Sequence, residues 1–304
     1  MHVHSLRRSG PRQWWREVKK LTGQNYRNPL NTLADNLFNG DSSQLANGIN
    51  NFFYSVSADL DPLDDSVIPI LTDTVPDEFI IDPYVVEMKL AAVDVCKSSG
   101  PDDIPNWVLR DFSRWLAEPV CAIFNSSIRQ GVVPGVWKCA NVVPIPKVNP
   151  PMSIESDLRP ISLTSCLSKI LEAFIGKLIL HEIQDKIDKR QFGALKGRST
   201  THALVDVLQR WHDALNNDQS IRVLFIDYAK AFDHVDHTII VSKIRSLGVS
   251  DILVRWVCSF LTQRKQRVKL SDFFSDWIQL KGSMPQGSWL GPLTFIILIN
   301  DLSA

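Results

Sequence analysis

The chain has 304 residues, 44% hydrophobic and 22% charged, a globular composition that excludes a disordered, collagenous or disulfide-dense chain and supplies one or two buried cores. The formal net charge of +0 on its face argues against a nucleic-acid binder. The average hides a segregation, because residues 1–30 carry +6, residues 31–95 carry −11 and residues 96–304 carry +5.

In chain order, Trp14, Trp15, Val18 and Leu21 sit at helical spacing among basic residues, and Leu45, Ile49, Phe52 and Phe53 predict a second short helix. Asp59–Asp82 is acidic and contains Pro62, Pro69 and Pro76, with Pro83 just beyond, the composition of a linker. Residues 1–90 are therefore expected to form an N-terminal linker or extension region, and residues 91–304 the main domain. Pro105 stands where a helix begins, followed by an apolar stripe of Val108, Phe112, Trp115 and Leu116. Ala140–Ile145 predicts a short strand closed by Pro144 and Pro146. Leu163, Leu167, Ile170, Phe174, Leu178 and Ile179 describe a long amphipathic helix, and Leu204, Val207, Leu208 and Trp211 another from Thr200 to about Leu215.

The run Val223-Leu224-Phe225-Ile226 predicts a buried strand that delivers Asp227 at its end. Helices around Thr238–Leu247 and Ile252–Leu261, strands over Gln266–Leu270 and Trp277–Leu280, and an apolar helix from Leu290 complete the chain. Helices and strands mix without a regular βαβ alternation, which predicts α+β. There is no Gly-x-Gly-x-x-Gly and no P-loop lysine.

Five scattered cysteines without a Cys-x-x-Cys pair suit a reducing, intracellular setting. Arg7 and Arg8 have no apolar run behind them, and Trp289–Asn300 is too short to cross a bilayer, so no secretory signal and no membrane contact are expected.

Two segments carry chemistry. Taken alone, an Asp at a strand end also serves as a helix N-cap or turn former; as a hard oxygen ligand, Asp227 also suits Mg²⁺. Downstream, three glycines and two prolines in Gly282–Leu293 fix a tight backbone that opens into a helix and comes close to a ligand. Arg264, Lys265, Arg267 and Lys269 form a basic run able to track phosphates, or equally a charged strand edge. Asp233, His234, Asp236 and His237 lack Cys partners for zinc; a turn and N-cap before the Thr238 helix accounts for them better.

Asp227 with Phe232, and Pro285-Gln286-Gly287-Ser288 downstream, resemble the first palm motif and the Pro-Gln-Gly motif of reverse transcriptases. Lys97–Asp102 with Ile104-Pro105, Trp137-Lys138 with Val143–Lys147, Leu158–Leu163, and Gln191-Phe192-Gly193 with Lys196–Thr201 resemble the motifs that precede them in the non-LTR (LINE-like) retrotransposon branch. Six such patterns in family order, over about residues 91–304, are specific. Asp103, Leu158 and Ala194-Leu195 are mild departures from the family wording.

The resemblance implies a right-hand polymerase fold, with fingers and an incomplete palm and the thumb absent. The reaction implied is RNA-directed addition of deoxynucleotides to a primer 3′-OH. Two Mg²⁺ ions would sit at Asp227, with the carbonyl of Ile226 or Tyr228 nearby. Lys147 and Arg159 would meet the triphosphate, Phe232 the sugar, and Gln286 and Gly287 the incoming nucleotide. Lys196, Arg198, Arg264, Lys265 and Arg267 would hold nucleic acid. The partners implied are an RNA template, a DNA primer or target and dNTPs. The Tyr/Phe-x-Asp-Asp pair that the resemblance also implies does not occur within the 304 residues, so little activity is expected of this polypeptide alone. A catalytically dead nucleic-acid-binding remnant is the alternative.

Overall fold

The computed structural model describes residues 29–70 and 74–302, together with Trp14, Val18 and Thr22. The expected N-terminal helix around Trp14 falls mostly outside these residues; Trp14 and Val18 themselves are helical. The helices are α1 (Asn31–Phe38), α2 (Ser42–Ser55), α3 (Pro83–Ala91), α4 (Asn106–Asp111), α5 (Ser113–Gln130), the single turn α6 (Ile154–Asp157), α7 (Cys166–Ile183), α8 (Thr200–Asn216), α9 (His237–Ser246), α10 (Asp251–Leu261) and α11 (Leu290–Ile299). The strands are β1 (Cys139–Pro146), β2 (Leu158–Leu163), β3 (Lys265–Leu270), β4 (Phe273–Phe274) and β5 (Ile278–Gln279). The expected α and β mixture without βαβ alternation is what forms.

The sheet has the order β2-β1-β3-β4, with β5 also on β3. β1 runs antiparallel to β2 and parallel to β3. It runs through Pro144 and ends at Pro146, within a residue of the expected bounds. β3 pairs only with Cys139–Val142, so the half of β1 that carries Pro144 and Pro146 has one edge without a strand, where a missing N–H costs no ladder bond. β2 was not foreseen as a strand; Leu163, expected in the long helix, is its last residue.

Two cores form. α3, α5, α7, α9, α10 and α11 enclose one around Phe124, Leu171, Ile175, Ile244, Trp256 and Phe260. Trp256 stacks on Phe260 at 5.8 Å and donates from Nε1 to Ser127 Oγ at 2.9 Å. The second core joins α1 and α2 to the sheet through Leu33, Leu45, Ile49, Val142, Leu158 and Val268.

Four expectations change. The acidic 59–82 stretch is no loose linker, since Leu63, Phe79 and Ile81 are buried in the main core. The residue-90 boundary falls within α3. α5 buries Val120, Phe124 and Ile128, while Phe112 and Trp115 of the expected stripe are exposed. Val223–Ile226 is neither buried nor a strand: it is irregular, with Phe225 86% exposed, and no strand of the described residues lies beside it to complete its hydrogen bonds. The apolar side chains Leu204, Leu208 and Leu215 of α8 are exposed as well.

Candidate active site

A cleft of about 510 Å³ opens between α2, the sheet, the 227–233 segment and the Pro285-Gln286-Gly287 turn. Backbone hydrogen bonds clamp the two segments together. Met284 N–H donates to the Phe232 carbonyl at 2.8 Å and Ser283 N–H to the Val235 carbonyl at 3.2 Å. On the other side of the turn, Ser162 N–H of β2 donates to the Gln286 carbonyl at 2.8 Å. Gly287 has φ +127°, and a Cβ there would lie 2.7 Å from Ser162 O. Only glycine lets the turn lie this close to β2.

Buried polar groups hold the turn from beneath. Glu172, in the apolar face of α7, is fully buried. Its carboxylate accepts from Ser168 Oγ at 2.9 Å and from Trp289 N–H at 2.7 Å, just ahead of α11. A negative group there satisfies helix N–H groups and meets the positive end of the dipole. Burial pushes its carboxyl above the ordinary range, against the pull of the Arg264 charge and these hydrogen bonds. Gly176, one turn further along α7, leaves room for Trp289, whose ring would lie 1.9 Å from a Cβ there. Asp236 caps α9 by accepting from Thr238 N–H at 2.7 Å and Ile239 N–H at 3.0 Å, as the N-cap reading has it. His237 is buried with Nε2 2.8 Å from the Ser283 carbonyl. A carbonyl only accepts, so Nε2 carries the proton. Burial holds the imidazole below its ordinary value, against the lift from that hydrogen bond.

Of the residues singled out in the sequence, Asp227, Tyr228, Lys147, Arg159, Phe232, Gln286, Arg264 and Lys265 line this one cleft. Asp227 is exposed, at the start of the turn segment rather than at the end of a buried strand. Phe232 rests on Phe295 of α11 at 5.6 Å between ring centroids. Lys147 Nζ donates to the Ser156 carbonyl at 2.7 Å. Ile226, 71% exposed, and Gly287 are not among the lining residues.

The basic residues divide differently from expectation. Arg264 is 2% exposed and forms part of the cleft wall. It donates to the Phe260 carbonyl at 3.0 Å and sits 4.7 Å from the Phe260 ring. Burial pushes its guanidinium down to about 10. It closes the end of α10. Arg198 donates from Nη1 to the carbonyls of Asp188, Lys189 and Gln191, at 3.0, 3.2 and 2.6 Å, and so closes its own loop. Arg267 donates to Asn141 Oδ1 at 2.8 Å, with its guanidinium 4.0 Å from the Phe274 ring and 4.5 Å from the Trp277 ring. Lys196 is exposed, away from the cleft.

Three features were missed. Phe52 and Phe53 of α2 form one wall of the cleft. Glu172 had a signal, a lone carboxylate beside Leu171 on a helix that is otherwise apolar on that face. Asp233 accepts from the Gln286 amide at 3.1 and 3.3 Å; burial raises its carboxyl, against the pull of Gln286. Its place beside Phe232 was visible in the sequence, its partner 53 residues on was not. Among the described residues no group of three or more His, Cys, Asp or Glu side chains is arranged to hold a metal ion, which leaves the zinc reading of 233–237 without support. No helix of the described residues is long and apolar enough to cross a membrane.

The family described as "Reverse transcriptase (RNA-dependent DNA polymerase)" matches residues 145–304, more than half of the chain. The chain belongs to the reverse transcriptase family. Its similarity extends to named members. It is 30% identical over 212 residues to the "Probable RNA-directed DNA polymerase from transposon BS" of Drosophila melanogaster, covering 68% of this chain and 23% of the relative. It is 32% identical over 209 residues, 68% of this chain and 23% of the relative, to the "RNA-directed DNA polymerase from mobile element jockey" of Drosophila funebris. The Drosophila melanogaster jockey polymerase is 27% identical over 240 residues, 74% of this chain and 26% of the relative. The chain thus spans about a quarter of the length of these reverse transcriptases. The mixed α and β architecture, a five-stranded sheet with packed helices, agrees with a reverse transcriptase domain.

Proposed function

We propose that this chain supplies the fingers and part of the palm of the RNA-directed DNA polymerase of a non-LTR retrotransposon. In this reading the cleft takes a dNTP and adds it to a primer 3′-OH opposite an RNA template. The observation that carries the reading is the convergence on one cleft of an exposed carboxylate, cations from β2, β3 and the residue after β1, and the Gln286 turn, from segments as distant as Lys147 and Gln286.

The donor set fits Mg²⁺. Asp227 offers a hard oxygen and open space beside it, and Mg²⁺ commonly takes one or two carboxylates and lets substrate phosphates and water complete its shell. Asp227, with the carbonyl of Ile226 or Tyr228 nearby, would hold the two ions. When bound they neutralise charge on the entering and leaving oxygens of the phosphoryl transfer. Lys147 and Arg159 face the triphosphate, with Lys147 released from the Ser156 carbonyl. Phe232, stiffened by Phe295, lies under the sugar and excludes a 2′-hydroxyl. Lys265, Arg267 and Lys196 guide nucleic acid by charge.

The test is Mg²⁺-dependent dNTP binding together with RNA-templated primer extension. Asp227→Ala is expected to weaken Mg²⁺-dependent dNTP binding at least tenfold and to abolish any extension. Extension that survives this substitution sinks the proposal.

A further inference from the structure

Besides the exposed Glu155 of α6, two carboxylates line the cleft, Asp227 and Asp233. They differ in what they touch. Asp227 is exposed, whereas Asp233 is half-buried and both its oxygens accept from Gln286 Nε2, at 3.1 and 3.3 Å. The backbone on each side of this contact is fixed independently. Phe232, the neighbour of Asp233, is bonded to Met284 at 2.8 Å, and Gln286 itself is bonded to Ser162 at 2.8 Å. With both ends of the pair held, the Asp233–Gln286 bond decides one remaining freedom, which way the amide faces. A carboxylate only accepts, so the amide must turn its NH₂ toward Asp233 and leave its carbonyl Oε1 free. Without the acid, either end of the amide can face the cleft.

We infer that Asp233 is a positioning residue that fixes the Gln286 carboxamide with its carbonyl toward the incoming nucleotide, and that Asp233 is not a metal ligand. The turn then offers the nucleotide an acceptor, matched to a hydroxyl or amino donor. The carboxylates divide the work: the open one serves the cation, and the paired one serves the amide. This rests on the nucleotide-binding reading of the cleft.

The test is titration of the 304-residue chain with the fluorescent nucleotide mant-dATP in the presence of Mg²⁺, for wild type, Asp233→Ala, Asp233→Asn, Gln286→Ala and the Asp233→Ala/Gln286→Ala double variant, each checked by thermal unfolding. Asp233→Ala is expected to weaken binding about tenfold, the scale of one charge-assisted hydrogen bond. Asp233→Asn offers the amide a donor as well as an acceptor and no longer dictates which end faces the cleft, so it should bind between Asp233→Ala and wild type. On the Gln286→Ala background, Asp233→Ala should add nothing. An Asp233→Ala variant that raises the Mg²⁺ requirement for nucleotide binding as much as Asp227→Ala does makes Asp233 a metal ligand and overturns the inference. So do additive effects of the two alanines, or an Asp233→Ala variant that binds like wild type. A wild-type chain that binds no nucleotide removes the reading of the cleft and this inference with it. Should Asp233→Ala not fold, Gln286→Glu carries the comparison. It sets two carboxylates against each other and should weaken binding, and adding Asp233→Asn should restore it; no recovery counts against the inference.

Discussion

At the residue scale, the cleft rests on polar groups buried where water cannot satisfy them. Glu172, His237 and Arg264 are each 2% exposed or less. A buried group of this kind is costly unless it is bonded, and each is bonded to the frame of the cleft: the start of α11, the Ser283 carbonyl and the end of α10. His237 makes this testable through pH. Burial lowers its pKa from the ordinary value of 6.5. As pH falls below that value, the unfolded chain takes up the proton before the folded chain does. Stability therefore drops across the window from 6.5 down to the folded-state value. The wild-type Tm should fall more steeply through this window than that of His237→Gln, which keeps a donor for Ser283 but does not titrate. Parallel Tm-versus-pH curves for the two would show that the imidazole is not the group responsible.

At the element scale, the turn at Pro285–Gly287 closes with one bond of its own, Ser288 N–H to the Pro285 carbonyl at 3.1 Å, and its neighbours position it. β2 holds one side through Ser162, the 232–235 segment holds the other, and Glu172 anchors the helix that follows. Gly287→Ala adds a Cβ at φ +127°, 2.7 Å from Ser162 O. Backbone strain of this kind costs about 1–3 kcal/mol, and relief requires the turn to leave β2 and carry Gln286 with it. The expected result is a lower Tm together with dNTP binding weakened well beyond what Tm alone accounts for. An alanine variant with wild-type Tm and affinity would mean that the turn is free to move without consequence.

At the scale of the whole molecule, the N-terminal helices are part of the site's foundation. α1 and α2 cover the face of the sheet that carries Val142, Leu158, Val268 and Leu270, and α2 supplies Phe52 and Phe53 to the cleft. Each large apolar side chain buried this way contributes about 1.5–3 kcal/mol, against a net stability of order 5–15 kcal/mol. Deleting residues 1–57 should lower Tm by about 10 °C or more, or leave the chain insoluble. A truncated chain that melts with the full-length one would show that the second core is dispensable. The apolar side chains of Val223–Ile226, and Leu204, Leu208 and Leu215 of α8, are left uncovered by the described residues.

The sequence by itself determined the family, the helices with strong periodicity and most of the cleft. Asp227, Phe232 and Gln286 stand in local wording that survives without knowledge of contacts, and α7 to α11 follow from apolar repeats within single segments. Tertiary structure alone decided what depends on neighbours distant in the chain. Val223–Ile226 reads as a strand from its β-branched and aromatic residues, yet a strand exists only where another backbone pairs with it. The run Arg264–Lys269 reads as uniform charge, but the pleat sends Arg264 inward onto Phe260 and Arg267 between two aromatic rings. Glu172 and Asp233 acquire their roles from partners 117 and 53 residues away. Hydrogen bonding and desolvation act through space, and a linear pattern records only what lies within a few turns along the chain.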